Sequence, residues 1–349
     1  MKEVEEANID IKALQIKNFE QIKNLRVNLE SKILKSDKVI IVPHKEVDFD
    51  AFASAIGIYL IASKLKKQSI IIIDDPSYKL EQSVKRVMDD AKKKFNIVSK
   101  EKYLKEMNKD DLYILTDVNK SNLICLSEEL KEVDKENIVV IDHHNTGPTT
   151  IDSSLNFINT DASSASEIIF KLLSMFKIKC PKDVANYLLA GIYLDTNKLT
   201  KNAKADTFKI ISKLMESGAD NNVIDSWFAE DFESDKRVLE LVSKTDIYKY
   251  SVAVILAEET CEYTKEELAK VADYLLKYGV DASFAVGKVG ENTISISARS
   301  KAKIDVGEVM RELEGGGSPY SAATKLTDTT IEETGKKLMK IIQPKYTVY

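Results

Sequence analysis

The sequence predicts an α/β protein in which a doubly wound, mainly parallel sheet precedes a smaller α/β domain, with a cleft between the two. Between residues 39 and 141, short continuous apolar runs alternate with stretches of helical spacing. Strands buried on both faces of a parallel sheet have this pattern. A length of 349 residues with 44% hydrophobic residues is also enough for two or three domains with substantial cores.

The chain begins with a stretch rich in Lys and Glu, residues 1–35, whose apolar residues recur every three or four positions. This spacing predicts an amphipathic helix. Covering the body of the protein, pairing with a second copy and continuing a longer chain are all compatible with the pattern. We predict the first domain over residues 36–228, a linker helix over 229–249 and the second domain over 250–349.

Four apolar runs are predicted to be strands of the first domain, with two helices among them. The strands cover residues 39–42, 70–73, 112–115 and 138–141, and the helices cover 51–65 and 80–95. In a doubly wound sheet, ligands bind beyond the carboxyl ends of the strands. Side chains at those ends are therefore the candidates for a functional site.

Acidic and imidazole side chains follow three of these strands. His44, Asp48 and Asp50 follow the first strand, Asp117 follows the third, Asp142, His143 and His144 follow the fourth, and Asp195 ends an apolar helical stretch that starts at Val184. The chain has only three histidines, and all of them are in this set. We interpret the set as a metal site. The alternatives are a surface loop that holds two histidines and, for Asp50, a helix N-cap.

Composition limits the class of protein. The net charge of -5 argues against a broad surface for duplex nucleic acid, whereas a small phosphorylated ligand is compatible with it. Cys125, Cys180 and Cys261 are widely spaced, which predicts neither disulfides nor a thiolate zinc site. No apolar run approaches the roughly 20 residues that span a bilayer, and the N-terminus is too charged for a signal peptide. We therefore expect a cytoplasmic protein.

Two further segments are candidates for binding phosphate. Residues 162–167 open a helix, where the Ser164 hydroxyl and the free backbone N–H groups either receive a phosphate or cap the helix. In the second domain, Arg299 ends a predicted strand, and a glycine triplet with Ser318 follows a helix predicted over residues 306–313. The triplet is Gly315, Gly316 and Gly317. Arg299 can clamp a phosphate and glycines let backbone N–H groups approach it, although glycines alone also end helices.

The second domain is predicted from four elements. They are a strand over residues 252–256, a helix opened by a Thr264 and Glu267 capping box, a hairpin over 283–289 and 293–298, and the helix over 306–313.

Together these motifs resemble the DHH/DHHA1 phosphoesterases and, more narrowly, the soluble C-terminal half of the GdpP-type cyclic-di-AMP phosphodiesterases. The residues that carry the resemblance are His44-x-x-x-Asp48-x-Asp50-Ala51, Asp117-Val118-Asn119, Asp142-His143-His144, Asp195, Ser297-Ala298-Arg299-Ser300 and the glycines of residues 315–317. The resemblance covers about residues 34–342, and the four metal motifs together are highly specific.

The resemblance implies a centre with two divalent cations, and carboxylate and imidazole ligands without thiolate favour Mn²⁺. It implies that His44, Asp48 and Asp117 hold one ion, and that Asp50, Asp117, His143 and Asp195 hold the other. Asp142 then orients a neighbouring ligand, and His144 faces the substrate phosphate.

The resemblance also implies the reaction, which is hydrolysis of cyclic di-AMP to linear pApA. The expected substrate contacts are Ser164, Arg299, Gly315, Gly316, Gly317 and Ser318. Two alternatives remain open: cleavage of short oligonucleotides or of 3′-phosphoadenosine 5′-phosphate, and a nucleotide-binding protein with weakened catalysis. The expected partner is a small nucleotide, and a homodimer is compatible with the sequence.

The sequence departs from the family pattern at three places. Val47 replaces a proline, Ser318 replaces a histidine, and Asn202-Ala203-Lys204 replaces Arg-Thr-Gly, with Asp206 at a later family arginine. The loss of two cations is expected to weaken binding of a dianionic substrate. The chain also lacks the membrane helices and the PAS-like and GGDEF-like regions of full GdpP proteins.

Overall fold

The computed structural model describes residues 2–73, 82–229, 232–248, 252–301 and 303–346. The chain divides into two compact units, Met1–Ala229 and Glu230–Tyr349. Both units combine helices with a six-stranded sheet, which confirms the predicted α/β class. Residues 80 and 81 of the predicted second helix lie outside the described residues.

The first unit is built around a parallel sheet. Its elements are α1 (Lys2–Lys35), β1 (Lys38–Pro43), α2 (Phe49–Lys64), β2 (Gln68–Ile72), α3 (Gln82–Lys92), β3 (Ile97–Val98), α4 (Lys100–Leu104), β4 (Leu112–Thr116), β5 (Ile138–Asp142), β6 (Leu155–Ile158), α5 (Ala165–Met175), α6 (Lys182–Asp195), α7 (Ala205–Glu216) and α8 (Asn221–Trp227). The strand order is β3-β2-β1-β4-β5-β6, and every neighbouring pair is parallel. The order reverses between β1 and β4, where doubly wound folds bind ligands.

The register of the central strands places their carboxyl ends at one level. Pro43, the last residue of β1, pairs with Thr116, the last residue of β4. Thr116 in turn pairs with Ile141 of β5. Because β4 and β5 are buried along their whole length, a shift of register would expose apolar side chains. The residues that follow each strand are therefore brought together.

Two strands at the edges of this sheet were not predicted from the sequence. β3 has only two residues, which is too short for a periodic pattern. β6 is only partly buried and contains Asn156, so its sequence lacks the continuous apolar run of a central strand.

Helix α1 covers the first unit, which is one of the roles that its sequence allowed. Leu25, Leu29 and Ile33 are buried in the core of the unit, and the helix packs against α5. Leu34 lies on the opposite face and is 51% exposed. The apolar stripe of this helix is therefore part of the core.

The two leucines of α1 provide a matched stability test. We expect Leu29→Ala to lower the free energy of unfolding by about 2–5 kcal/mol, because it leaves a cavity in the core. Leu34→Ala should change it by less than about 0.5 kcal/mol, since that side chain is exposed. Urea unfolding can be followed by the fluorescence of Trp227, the single tryptophan, which stacks on Phe49 in the first unit. Equal effects of the two substitutions would contradict the packing of α1.

The second unit has a mixed sheet. Its elements are α9 (Phe232–Ser243), β7 (Asp246–Tyr248), β8 (Val252–Leu256), α10 (Lys265–Leu276), β9 (Ala282–Gly290), β10 (Thr293–Ser300), α11 (Val306–Arg311), β11 (Gly316–Gly317), β12 (Ser321–Thr327) and α12 (Ile331–Tyr346). The strand order is β11-β12-β10-β9-β8-β7, with β8 and β9 parallel and the other pairs antiparallel. The predicted capping box is present, since Thr264 and Glu267 bond each other's backbone N–H groups.

The segment predicted as a linker, residues 229–249, belongs largely to the second unit. Val238 and Leu241 of α9 lie in the core of that unit, and β7 pairs with β8. Among the described residues, no helix combines the length and apolar character that crossing a bilayer requires.

Candidate metal centre

The candidate site lies where β1, β4 and β5 end. Asp117 directly follows β4, and its backbone N–H donates to the Ile141 carbonyl of β5 at 3.0 Å. Its φ of 58° lies in the left-handed region, which costs a non-glycine residue energy. This turn directs the Asp117 carboxylate toward the side chains that follow β1 and β5.

A first group of ligands forms around one oxygen of Asp117. His44 Nε2 lies 3.4 Å from Asp117 Oδ2 and 3.6 Å from Asp48 Oδ1. One ligand atom from each of the three residues falls within 4.8 Å of the others. This trio is the set that the resemblance implied for the first ion.

A second group forms around His143. Its Nε2 lies 3.0 Å from Asp195 Oδ2, 3.4 Å from Asp117 Oδ1 and 3.8 Å from Asp50 Oδ2. Asp117 therefore lies between His44, near its Oδ2, and His143, near its Oδ1, and His144 Nδ1 is also 3.5 Å from Oδ1. All six side chains implied as ligands meet in one cluster, with Asp117 between the two groups.

The donor set fits divalent cations. Asp117 Oδ1 and His143 Nε2 are buried, and among the described residues neither atom has a hydrogen-bond partner. Buried polar atoms are rarely left unpaired, and those that are need an explanation such as a bound ion. Carboxylate oxygens and imidazole nitrogens without thiolate are suitable ligands for Mn²⁺, Mg²⁺ and Fe²⁺. Structural zinc sites, by contrast, usually contain cysteine thiolates.

Asp50 is held rigidly at the N-terminus of α5. Its Oδ2 accepts a hydrogen bond from Ala165 N and its Oδ1 accepts one from Ser166 N, both at 2.7 Å. The positive end of the helix favours this carboxylate. Ser164 is buried, and its hydroxyl accepts from Glu167 N, so it caps the helix. The anion at the N-terminus of α5 is therefore the Asp50 carboxylate. Of the two roles considered for Ser164, phosphate binding and helix capping, the structure shows capping.

The alternative that Asp50 is the N-cap of α2 is wrong. The N-cap of α2 is Asp48, whose Oδ1 accepts from Ala51 N at 3.0 Å. Asp50 lies in the first turn of that helix and points into the cluster instead. Asp48 thus combines a structural bond with its position beside His44.

Asp142 fixes the orientation of His144. Asp142 is fully buried, and its Oδ1 lies 2.9 Å from His144 Nδ1 and accepts from the backbone N–H groups of His143 and His144. Its Oδ2 accepts from Asn119 Nδ2 at 2.6 Å. Because Nδ1 is occupied, His144 has Nε2 left for another partner, and more than half of its side chain is exposed.

Two contributors to the site were not singled out as site residues from the sequence. Asn119 is buried and bridges Asp142 Oδ2 and the His144 carbonyl. Its position two residues after Asp117, at a strand end, was the available signal. Gly191 lies one helical turn before Asp195, and a Cβ there would come within 2.9 Å of Asp50 Oδ1. Only a residue without a side chain lets α6 approach Asp50 this closely.

The pKa values reflect a dense cluster of acids and bases. Burial lowers the pKa of His44, but the nearby carboxylates of Asp117 and Asp48 outweigh burial and raise it to about 10. The pKa of His143 is likewise raised to about 11, since the nearby carboxylates of Asp117 and Asp195 outweigh burial. Burial, reinforced by the charge of Asp117, raises the pKa of Asp50 and of Asp195. Burial also opposes ionisation of Asp117, but the nearby imidazoles of His143 and His44 lower its pKa.

These shifts predict that protons compete with metal for the site. His44 and His143 have to lose their protons before they can bind an ion, so lower pH should weaken binding. We expect the apparent Kd for Mn²⁺ to rise by about tenfold per pH unit for each proton released, as pH falls from about 8 to about 6. Calorimetry in two buffers of different ionisation enthalpy measures the number of protons released. A Kd that does not change with pH would contradict this prediction.

In the second unit, the Arg299 side chain already forms hydrogen bonds within the protein. Its Nε bonds Asp273 Oδ1 and Oδ2 at 3.1 and 3.2 Å, and its Nη1 donates to the Ala298 carbonyl. Asp273 is exposed, and a surface ion pair of this kind contributes little stability. A phosphate can therefore compete with Asp273 for Arg299.

The glycine triplet forms part of the sheet. Gly316 and Gly317 make up β11, which pairs with β12, and a Cβ on Gly315 or Gly317 would collide with β12. The left-handed residue at the end of α11 is Glu314, with φ 60°. The glycines therefore do more than end the helix. The Ser318 hydroxyl accepts from Ser321 N at 3.1 Å within the turn that leads to β12.

Comparison with known families agrees with this geometry. The family model described as "DHH family, N-terminal domain" matches residues 38–192, and the DHHA1 domain model matches residues 248–344. The chain is a member of the DHH/DHHA1 family. The match confirms the resemblance noted in the sequence, and the first model contains five of the six clustered side chains, Asp195 lying just beyond it.

Two curated relatives of this chain are cyclic-di-AMP phosphodiesterases. The cyclic-di-AMP phosphodiesterase GdpP of Bacillus subtilis strain 168 is 34% identical over 324 residues, covering 90% of this chain and 49% of the relative. GdpP of Geobacillus thermodenitrificans strain NG80-2 is 32% identical over 322 residues, covering 90% and 48%. The chain thus spans about half the length of the curated relatives it matches.

Solved structures share the DHH/DHHA1 fold. An exopolyphosphatase-related protein from Bacteroides fragilis superposes with a TM-score of 0.74 at 21% identity, covering 92% of this chain and 96% of that chain. RecJ from Thermus thermophilus, crystallised in complex with Mn²⁺, gives a TM-score of 0.53 at 14% identity, covering 93% and 55%. At these identities the similarity shows the fold.

Proposed function

We propose that this DHH/DHHA1 protein is a metal-dependent phosphodiesterase that hydrolyses cyclic di-AMP, or a closely related cyclic dinucleotide, to linear pApA. The main support for the proposal is the cluster of six candidate ligands, in which Asp117 lies between two groups. The relatives named as cyclic-di-AMP phosphodiesterases, at 32% and 34% identity over 90% of the chain, support the substrate.

Two divalent cations, for which Mn²⁺ is the best match to the ligands, are proposed to occupy the cluster. His44, Asp48 and Asp117 would hold one, and Asp50, Asp117, His143 and Asp195 would hold the other. Bound cations of this kind activate a water molecule for attack on phosphorus and neutralise charge on the phosphate. The backbone N–H groups of Ala165 and Ser166 contribute by holding Asp50 in place.

His144 is proposed to act on the substrate phosphate, with Asp142 as its positioning residue. The hydrogen bond that His144 donates to Asp142 raises the pKa of His144, so its ring holds a proton near neutral pH more often than a free histidine does. With Nδ1 bound to Asp142, Nε2 is the atom that can donate to a phosphate oxygen or to the departing ribose oxygen. A proton delivered there stabilises the leaving group.

The second unit is proposed to bind the remainder of the nucleotide. Arg299 can exchange Asp273 for a phosphate, and the backbone of the glycine triplet and the Ser318 hydroxyl can donate hydrogen bonds to it. Since Ser318 stands where the family has a histidine, this contact lacks a ring that can stack or carry charge. We do not include Ser164 among these contacts, because its hydroxyl is buried in the cap of α5.

A second candidate function is cleavage of linear substrates, such as pApA, short oligonucleotides or 3′-phosphoadenosine 5′-phosphate. Ser318 favours this second function, because the second unit is expected to select the substrate while the first unit carries out the chemistry. A lower KM and a higher kcat for pApA than for cyclic di-AMP would establish this alternative.

The principal test is product analysis by chromatography. We expect the purified chain with Mn²⁺ to convert cyclic di-AMP to pApA, and we expect Asp117→Asn to lower kcat at least about 100-fold because the residue shared by both ions is changed. Asp117→Asn should also retain at most one Mn²⁺ per chain after desalting. Asp152→Asn, which changes an exposed aspartate of the same unit, should behave as wild type. If the wild-type chain holds two ions and leaves cyclic di-AMP intact, the proposed substrate is wrong.

His144 can be tested separately from the metal ligands. We expect His144→Asn to lower kcat by about 10²–10⁴-fold, the range for loss of a general acid, with little change in KM. Its Mn²⁺ content, measured by mass spectrometry, should equal that of the wild type. Loss of one Mn²⁺ in this variant would instead make His144 a metal ligand.

A further inference from the structure

A cavity of about 300 Å³ opens directly onto the candidate metal centre. Its wall contains His44, Asp117, His144 and Asp195, together with two lysines, Lys45 and Lys120. Cations in the wall of such a cavity are the natural partners of an anionic substrate. The two lysines differ in whether they already have a partner.

The Lys45 ammonium already forms a hydrogen bond within the protein. Its Nζ donates to the Asn122 carbonyl at 2.9 Å, and its backbone N–H donates to the Leu123 carbonyl at 2.7 Å. The Lys120 ammonium, by contrast, has no hydrogen-bond or ion-pair partner anywhere in the part of the chain that the structure describes. Five acidic residues line the same cavity, so a lysine without a partner beside them requires an explanation.

The neighbouring carboxylates are occupied by other donors. Asp142 accepts from Asn119, His144 and two backbone N–H groups. Asp117 lies between His44 and His143, and Asp48 accepts from Ala51 N. Lys120 therefore faces a site whose acidic groups are directed toward the centre of the cluster, so that its ammonium is left available to a ligand.

The position of Lys120 is fixed by its backbone. It forms a β-bridge with Thr150, and its carbonyl accepts from Leu123 N at 3.1 Å. Ser121 N donates to the Thr149 carbonyl at 3.0 Å. The stem of the side chain lies against Gly147, where a Cβ would be 3.8 Å from Lys120 Cε. Gly147 lies three residues after His144, so this contact keeps the ammonium beside the loop that carries the proposed proton donor.

The charge of the loaded centre shows why such a cation is needed. Asp48, Asp50, Asp117 and Asp195 supply four negative charges, which two divalent cations balance. A dianionic cyclic dinucleotide then needs further positive charge to bind.

We propose that Lys120 binds a non-bridging phosphate oxygen of the substrate at the mouth of the metal centre. The inference rests on the proposed function, because it assigns a residue to that site. Lysine suits this role as a mobile point charge with three donors. Lys120 is a substrate-binding residue and does not hold the metal.

The test compares Lys120→Gln with Lys120→Arg and with Lys93→Gln. Lys93 is an exposed lysine just after α3 that pairs with Asp90 and does not line the cavity, so it controls for the loss of one positive charge. Two quantities are measured on Mn²⁺-loaded protein: KM and kcat for cyclic di-AMP, and the Kd for pApA by calorimetry. Mn²⁺ content and unfolding temperature are recorded for each variant.

We expect Lys120→Gln to raise KM and the Kd for pApA by at least about tenfold, the effect of losing a hydrogen bond between charged groups. Its kcat should change by less than about threefold, a split that marks loss of binding common to ground and transition states. Lys120→Arg should recover most of the affinity. Lys93→Gln and the Mn²⁺ content of every variant should match the wild type.

Each outcome decides a separate question. If the wild-type chain binds pApA without cleaving cyclic di-AMP, the proposed function fails, and the effect of Lys120→Gln on the Kd for pApA still decides the role of Lys120. An unchanged Kd and KM in Lys120→Gln would overturn that role while leaving the function intact. A loss of Mn²⁺ from Lys120→Gln would also overturn it, and a wild-type chain that neither cleaves nor binds either nucleotide would overturn both proposals.

Discussion

The Asp117 carboxylate, placed between His44 and His143, is the contact on which the first unit depends for its function. Each of its oxygens lies 3.4 Å from a different imidazole. The residue is almost completely buried and has left-handed backbone geometry. Three more aspartates converge on the same small volume, and buried carboxylates at this density repel one another unless positive charge is supplied. Protons on the histidines meet that need in part, and divalent cations meet it more completely.

The fold brings these charges together by its topology. Strand order reverses between β1 and β4, so that His44 and Asp117 follow adjacent strands whose last residues are paired. The N-terminus of α5 anchors Asp50, and the last residue of α6 adds Asp195. A site assembled from strand ends and helix termini is held by rigid elements, which gives it precise geometry. The apolar cores beneath it make that geometry costly to change.

Much of this could be predicted from the sequence, because buried parallel strands and their polar termini leave a strong local pattern. The runs at 39–42, 112–115 and 138–141 predicted the central strands, and the histidines and aspartates after them predicted the side chains that the structure brings together. Contacts between distant segments left no such pattern. Nothing local indicates that Gly191 makes room for Asp50, or that two amides of α5 bind that carboxylate. The alternative that Asp50 caps α2 named the wrong aspartate. Asp48 and Asp50 both lie at the start of the helix, and only backbone geometry distinguishes them.

The most direct test of the central claim is anomalous diffraction at the manganese edge from crystals grown with Mn²⁺. The account predicts two peaks about 3.5–4 Å apart, the spacing of two-metal sites. Asp117 should contact both ions, His44 and Asp48 should contact one, and Asp50, His143 and Asp195 should contact the other. A single peak, or two peaks that Asp117 does not join, would contradict the account.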